Sequence, residues 1–250
     1  MLEMGAYRDI SVIVAVREGS SRVRGKIFLP FDGEKTLLDW KIEQLKQVQD
    51  PDLIFLSSNS ERVREAAERH GVQFLPRSDY LCTAHLAALS EVITGVVKDV
   101  KTPYFAWAMA VVPLMSPDEY REGFDLFLRH VALERTHDSL VSANLLKEFL
   151  WNAEGPINYK ADRGHVYTQN LPDIFRITNG LYMRSTEDTM RDAYFLGRKP
   201  YMHQVRKASG IDIDEYEDYE AALAMKALYY SGASHVPGAQ RGPGTQHARV

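Results

Sequence analysis

The sequence predicts an α/β fold built on a doubly wound, mostly parallel sheet. Apolar runs of strand length alternate at short spacing with amphipathic runs of helix length. The runs Ile10–Val16 and Tyr104–Val112 are apolar throughout, as in strands covered on both faces. The first of them empties into a glycine-containing cationic stretch, and ligands of such sheets sit beyond the carboxyl ends of the strands.

Taken in order, Ile10–Val16 reads as the first strand. Thr36–Val48 follows as a helix, with Leu37, Leu38, Ile42, Leu45 and Val48 at helical spacing. Asp52–Ser58 is the second strand. Ser60–His70 is a charged amphipathic helix, with Ser60 as N-cap and Gly71 as its stop. Val72–Leu75 is a short strand, Thr83–Val97 a largely apolar helix, and Tyr104–Val112 a central strand. Pro117–Val131 continues as helix and Asp138–Ala143 as strand. From about 147 to 174 the rhythm breaks, and Trp151, Asn152, Gly155, Pro156, Gly164 and Pro172 mark a loop-and-hairpin insertion. Ile177–Met183 returns to strand, Ser209–Asp214 ends another, and a helix runs from about Glu217 to Tyr230. The expected organisation is one unit over 1–230 and a disordered tail over 231–250, where Gly, Pro, Gln and His recur without periodicity.

The chain has 250 residues and an apolar fraction of 45%, enough for a sizeable core. A net charge of −4 speaks against a nucleic-acid partner. No apolar run reaches the length of a membrane span or a signal segment, so the expectation is a cytoplasmic protein without a membrane partner. Cys82, the one cysteine, excludes an internal disulfide and a cysteine metal site, and reads as a packed residue.

The candidate chemistry begins with the stretch Arg17 to Lys26, which carries Gly19, Ser20, Arg22, Arg24 and Gly25. Small residues let the backbone approach an anion, and Arg and Lys supply charge. It fits neither the dinucleotide nor the P-loop glycine pattern, and a solvated basic turn would look the same. In Ile211-Asp212-Ile213-Asp214, a strand would send both carboxylates to one face, about 6–7 Å apart. Beside a phosphate such a pair suits magnesium. The alternative is that Asp214 caps the next helix while Asp212 pairs with a base. Asn179-Gly180 reads as a turn, or as an amide offered to a substrate. The histidines show no ligand spacing. Glu215 to Glu220 reads as a solvated helix start.

Five ordered segments resemble the cytidylyltransferases that activate acidic sugars, nearest the N-acylneuraminate type and its legionaminate and pseudaminate relatives. The family's first motif, Ile-Pro-Ala-Arg-x-Gly-Ser-Lys-x-x-x-x-Lys, stands here as Val14-Ala15-Val16-Arg17-Glu18-Gly19-Ser20-Ser21 through Lys26. Leu56-Ser57-Ser58-Asn59 is similar to its Val-Ser-Thr-Asp turn. Phe74-Leu75-Pro76-Arg77 with Thr83-Ala84 is similar to its Arg-Pro…Asp-Thr-Ala segment. Asn170-Leu171-Pro172 through Arg176 and Asn179-Gly180 resembles Gln-Asp-Leu-Pro…Arg-Glu-Asn-Gly. Ile211 to Asp214 with Asp218-Tyr219 resembles the terminal Ile-Asp-Ile-Asp-x-x-x-Asp-Phe.

The resemblance implies a Rossmann-like nucleotidyltransferase that joins CMP from CTP to the anomeric hydroxyl of a sialic- or nonulosonic-type sugar and releases pyrophosphate. It implies CTP contacts from Val16, Arg17, Gly19, Ser20, Arg22 and Lys26, with Arg77 and Ala84 near the cytosine or ribose. It implies an acceptor at Val111, Val112, Asn179 and Gly180, magnesium on Asp212 and Asp214, and catalytic roles for Arg17, Lys26 and Asp214. It also implies a homodimer formed through the 147–174 insertion. Departures lie mainly in the acceptor half. Met109-Ala110-Val111-Val112-Pro113-Leu114 stands where the family has Gln-Pro-Thr-Ser-Pro-Leu, Asn59 replaces an acid and Thr178 a Glu. An acceptor other than sialic acid, such as a polyol phosphate or a phosphonate, is the alternative, and a non-catalytic CTP-binding relative is another.

Overall fold

The computed structural model describes residues 7–19, 22–83 and 85–230. The expectations for Ser20, Ala84 and the tail 231–250 lie outside the described residues. Ten of the amphipathic and apolar runs form elements near the expected bounds, beginning with β1 (Ile10–Ala15), α1 (Leu37–Lys46), β4 (Ile54–Ser58) and α2 (Glu61–His70). β2 (Pro30–Asp32) and β3 (Lys35–Thr36) form a small ribbon ahead of α1. β5 (Gln73–Pro76), β6 (Tyr104–Ala108), α5 (Pro117–Phe127) and β7 (Ser139–Leu146) follow in order. α3 (Asp79–Cys82) and α4 (Leu89–Val97) lie between β5 and β6. The insertion holds the ribbon β8 (Trp151–Asn152) and β9 (Gly155–Pro156). β10 (Ile174–Ser185), α6 (Thr186–Asp192), β11 (Pro200–Gln204) and α7 (Tyr216–Tyr230) complete the order.

Seven strands make the sheet in the order β11-β7-β10-β6-β1-β4-β5, with β6 at its centre. β10 runs antiparallel to both neighbours, and the other pairs are parallel. Alternation along β1 divides the core. Val12 and Val14 face α1, α2 and α5, where they meet Leu38, Ile42, Val63 and Phe124. Ile13 points to the other face, with Phe105, Trp107 and, from α4, Ile93 and Val97. Burial on both faces is why these strands are apolar throughout.

Local signals set the helix ends. Thr36 and Asp39 form a reciprocal capping box at α1, and Ser60 caps α2, which stops at left-handed Gly71. Two sequence expectations are corrected. The helix expected over Thr83–Val97 is broken: His85 has φ 70, and α4 starts only at Leu89, with Glu91 accepting from the Ala88 amide at 2.7 Å. The strand expected over Ser209–Asp214 is absent. A 3-10 turn at Ala208–Gly210 leads into an extended segment whose one ladder-like bond is Ile213 N to Val111 O at 2.9 Å. β7 is already paired on both sides, by β10 and β11, so this segment finds no free strand edge beside it.

Candidate active site

Three segments meet beyond the carboxyl ends of β1, β4 and β6. The first is the loop after β1. Its root is fixed by Arg77, which is buried and donates to the Val16 carbonyl at 2.7 Å and to Cys82 Sγ at 3.0 Å. Arg17 follows, exposed and without an ion pair among the described residues, and it borders three adjoining cavities. Gly19 lines one of these, about 580 Å³ in volume, with Glu18, Asn59, Ser60 and Arg62. Gly25, at φ 61, reverses the chain into a 3-10 turn and sends Lys26 back across the loop. Lys26 Nζ donates to the Ile213 carbonyl at 2.5 Å and stands 3.4 Å from Asp214 Oδ1; Arg22 Nη2 is 2.7 Å from the same oxygen.

The second segment is the bulge in β10. Its register with β7 shifts between Ile177 and Tyr182, and Asn179 adopts φ 58 there. Asn tolerates the left-handed region better than most residues. The bulge aims its amide across the site, where Nδ2 donates to Asp212 Oδ2 at 2.9 Å while Oδ1 accepts from Tyr182 Oη.

The third segment is Ile211–Asp214. Ile213 is fully buried against Phe31, Leu37, Leu114 and Tyr219. Its anchoring turns the acids on either side toward the cavity, so the alternation orients them without a strand. Asp218 accepts from the Asp214 and Glu215 amides at 3.0 and 2.8 Å and thereby caps α7. The capping role weighed for Asp214 therefore belongs to Asp218.

Asp212, Asp214, Asn179, Lys26 and Arg17 share a cavity of about 360 Å³. Burial pushes the Asp212 carboxyl up, against the hydrogen bond from Asn179, and neighbouring Asp214 adds to the rise. Asp212 Oδ1 is buried and has no hydrogen-bond partner among the described residues. An unpartnered carboxylate oxygen beside a second carboxylate fits a divalent cation, and magnesium typically takes one or two carboxylates together with substrate phosphates. Among the described residues no group of three or more His, Cys, Asp or Glu could hold a metal, so any such ion would draw its remaining ligands from water and substrate.

A second cavity, about 510 Å³, joins this one at Arg17, Met109 and Asn179. Its walls include Trp107, Tyr182 and Phe195, with the Tyr182 and Phe195 rings 4.2 Å apart. The break before α4 opens Thr83 and His85 to it. Of the expected acceptor residues, Val111 and Asn179 line the smaller cavity. Val112 and Gly180 are buried behind its wall, packed so closely that a Cβ on Gly180 would lie 3.4 Å from Val112 Cγ1 and 2.9 Å from Met115 Sδ. Sequence reasoning missed Trp107, Tyr182, His85 and Phe195. Trp107 and Tyr182 are cross-strand partners on β6 and β10, a pairing visible only once the antiparallel strand is known.

Residues 11–101 match the family model described as Cytidylyltransferase. A curated N-acylneuraminate cytidylyltransferase of Escherichia coli O18:K1:H7 (strain RS218 / NMEC) is 21% identical over 225 residues, covering 87% of this chain and 52% of that relative. The chain therefore spans about half the length of the curated relative it matches. A CMP:2-keto-3-deoxy-manno-octonic acid synthetase solved with CTP superposes with TM-score 0.64 at 14% identity, covering 88% of this chain and 98% of that one. The 4-diphosphocytidyl-2C-methyl-D-erythritol synthase of Anaerococcus prevotii DSM 20548 gives 0.55 at 13% identity, over 86% and 95%. These two structures share the fold, a mixed, mostly parallel sheet between helices. No helix among the described residues is long and apolar enough to cross a membrane. The family match spans the cationic loop and Arg77, and together with the curated relative it marks what this part of the chain is similar to: the cytidylyltransferases.

Proposed function

We propose that the chain transfers CMP from CTP to the anomeric hydroxyl of an acidic sugar of the nonulosonic type and releases pyrophosphate. The observation that carries this reading is the pairing of charges across the smaller cavity. Among the described residues Arg17 has no counter-ion, and Asp212, which lines the same cavity, keeps an oxygen without a hydrogen-bond partner. A nucleoside triphosphate with a divalent ion satisfies both.

In this reading the Gly19 backbone and Arg17 receive the phosphates, and a triphosphate draws Arg22 and Lys26 from Asp214. Arg77 holds the root of the loop, so its contribution to the nucleotide runs through Val16. Asp212 and Asp214 would hold magnesium, which supplies neutralisation of phosphate charge and a more acidic bound hydroxyl. Asn179, fixed by Tyr182, orients the acceptor from the larger cavity toward the α-phosphate. Phosphoryl chemistry of this kind needs little beyond positioning and charge, so a histidine base is not required.

Incubation with CTP, magnesium and a panel of nonulosonic and octulosonic acids should release pyrophosphate. Silence across a broad panel sinks the acceptor assignment. A second reading keeps CTP and changes the acceptor to a polyol phosphate or phosphonate. It is favoured by the apolar wall of Trp107, Met109 and Phe195, which offers a polyhydroxylated sugar few partners. Turnover with those acceptors and none with nonulosonates selects it. The unit is read as residues 1–230 with the 147–174 insertion facing a second copy, for which exposed Trp151, Ile157 and Tyr167 speak. Sedimentation as a monomer at micromolar concentration counts against that assembly.

A further inference from the structure

Helix α1 turns a polar face toward the loop after β6. Trp40 Nε1 and Gln44 Nε2 donate to the Pro113 carbonyl at 2.9 and 2.8 Å, and Lys41 Nζ donates to the Val112 carbonyl at 2.8 Å. Lys41 is fully buried and has no carboxylate at ion-pair distance among the described residues. An interior ammonium without a direct counter-ion is costly, and a packed aliphatic chain would fill the same space. The charge therefore needs a separate reason.

A second hydrogen bond supplies one. Lys41 Nζ also donates to Tyr120 Oη at 2.8 Å, and Tyr120, itself fully buried, donates to the Gly180 carbonyl at 3.3 Å. One ammonium thus joins two walls of the site. Through Val112 it holds the loop whose Val111 carbonyl takes the Ile213 amide, between the two aspartates. Through Tyr120 it holds Gly180, next to the asparagine that meets Asp212. Val111 and Val112 have no polar side chain with which to fix that loop themselves.

We propose that Lys41 is a positioning residue: its charge locks the 109–113 loop against the β10 bulge and keeps Asp212, Asp214 and Asn179 in register. The proposal rests on the reading of the site given above. Burial brings Lys41 down to about 7, against a pull upward from Glu119, so the lock weakens as pH rises through neutrality. The groups packed around it leave that change to Lys41. Tyr120 and Tyr230 are pushed up by burial and stay neutral. Burial raises Glu119, but Arg206, Ser116 and Ser209 outweigh it and keep the carboxylate charged. His203, bonded to the Glu119 backbone, is lowered by burial. From the loop Lys41 meets the Val112 carbonyl, and from the bulge Tyr120 meets the Gly180 carbonyl, neither of which titrates.

The test uses Lys41→Met and Lys41→Gln, the second keeping an N–H donor without a titratable charge. Amide exchange, corrected for intrinsic rate, is followed over 109–115 and 211–215 at pH 6 and pH 8, beside kcat and the KM for CTP. In the wild type, protection of both segments should drop several-fold from pH 6 to pH 8. Lys41→Met should be less protected there at both pH values, and Lys41→Gln intermediate, each without a pH step. Wherever an acceptor turns over, kcat should fall about tenfold or more in Lys41→Met, with the KM for CTP nearly unchanged. Variants that keep wild-type exchange and its pH step overturn the proposal, as does protection lost equally across β1 and β4. Exchange reads the lock without turnover, so its failure and the failure of the activity assignment can be told apart.

Discussion

The Asn179 amide reaches Asp212 at 2.9 Å from a left-handed backbone position within a sheet strand. A β-bulge aims one side chain out of the ladder, and the strain is confined to a residue type that accepts it. Asn179→Ala should therefore lose the hydrogen bond and add backbone strain, lowering stability by about 1–2 kcal/mol in denaturant titration. Asn179→Gly relieves the strain but not the lost contact. Its turnover should match that of the alanine variant while its stability is higher. Equal stability would show that the backbone there is unstrained.

Removing a carboxylate from the pair tests the metal. Asp214→Asn should cut metal-dependent turnover by at least about a hundredfold, close to 3 kcal/mol, with the far-ultraviolet spectrum unchanged. Asp212→Asn should do the same, and because burial already disfavours the charge at this position its melting temperature should not fall. Turnover that survives chelation of divalent ions would argue against a metal on either residue.

Arg17 is exposed and has no ion pair among the described residues, so its removal should leave stability within about 0.5 kcal/mol of wild type. Calorimetric CTP affinity should fall about tenfold or more in Arg17→Ala, and the salt dependence of binding should weaken. Unchanged affinity would remove Arg17 from the phosphate site.

Asp39 links α1 to α2 and carries an acid-stability signature. Burial pushes its carboxyl up, but hydrogen bonds from Thr36, His70 and Arg69 outweigh this and hold it at about 2, below the ordinary 3.8. A depressed carboxylate stabilises the fold above its unfolded value, and that stability is lost as pH falls toward 2. The expected contribution is about 2 kcal/mol at neutral pH, vanishing between pH 4 and pH 2. Asp39→Asn should flatten the acid limb of a stability profile over that range.

Some of this was legible in the sequence, for identifiable reasons. Strands buried on both faces are apolar throughout, so β1 and β6 were visible, and caps such as Ser60 and Gly71 marked α2. The alternation Ile211 to Asp214 correctly oriented two acids but suggested a strand, because period-two patterns do not reveal whether a partner edge exists. The break before α4 was hidden because its apolar residues keep helical spacing, while the stop comes from left-handed His85 and the Glu91 cap. Lys41 in an amphipathic helix reads as a surface residue; only the packing of α1 on the 109–115 loop shows it buried. The resemblance places Val112 toward the acceptor, yet it packs behind the wall, since one-residue differences in side-chain direction within an irregular loop have no period to reveal them.

The loop after β6 is held through its main chain. The Val112, Pro113 and Leu114 carbonyls are bound by side chains of Lys41, Trp40, Gln44, Ser209 and Tyr230. Met109 and Val111, which border the cavities, add only apolar packing, Met109 against the core around Ile13 and Trp107 and Val111 against the core around Phe31 and Ile213. A substitution that keeps this packing therefore leaves the carbonyl-held frame in place. The cavity wall is thus a partly exposed apolar lining on a mount fixed through its carbonyls, and its shape can be altered at these two positions with the cationic loop untouched.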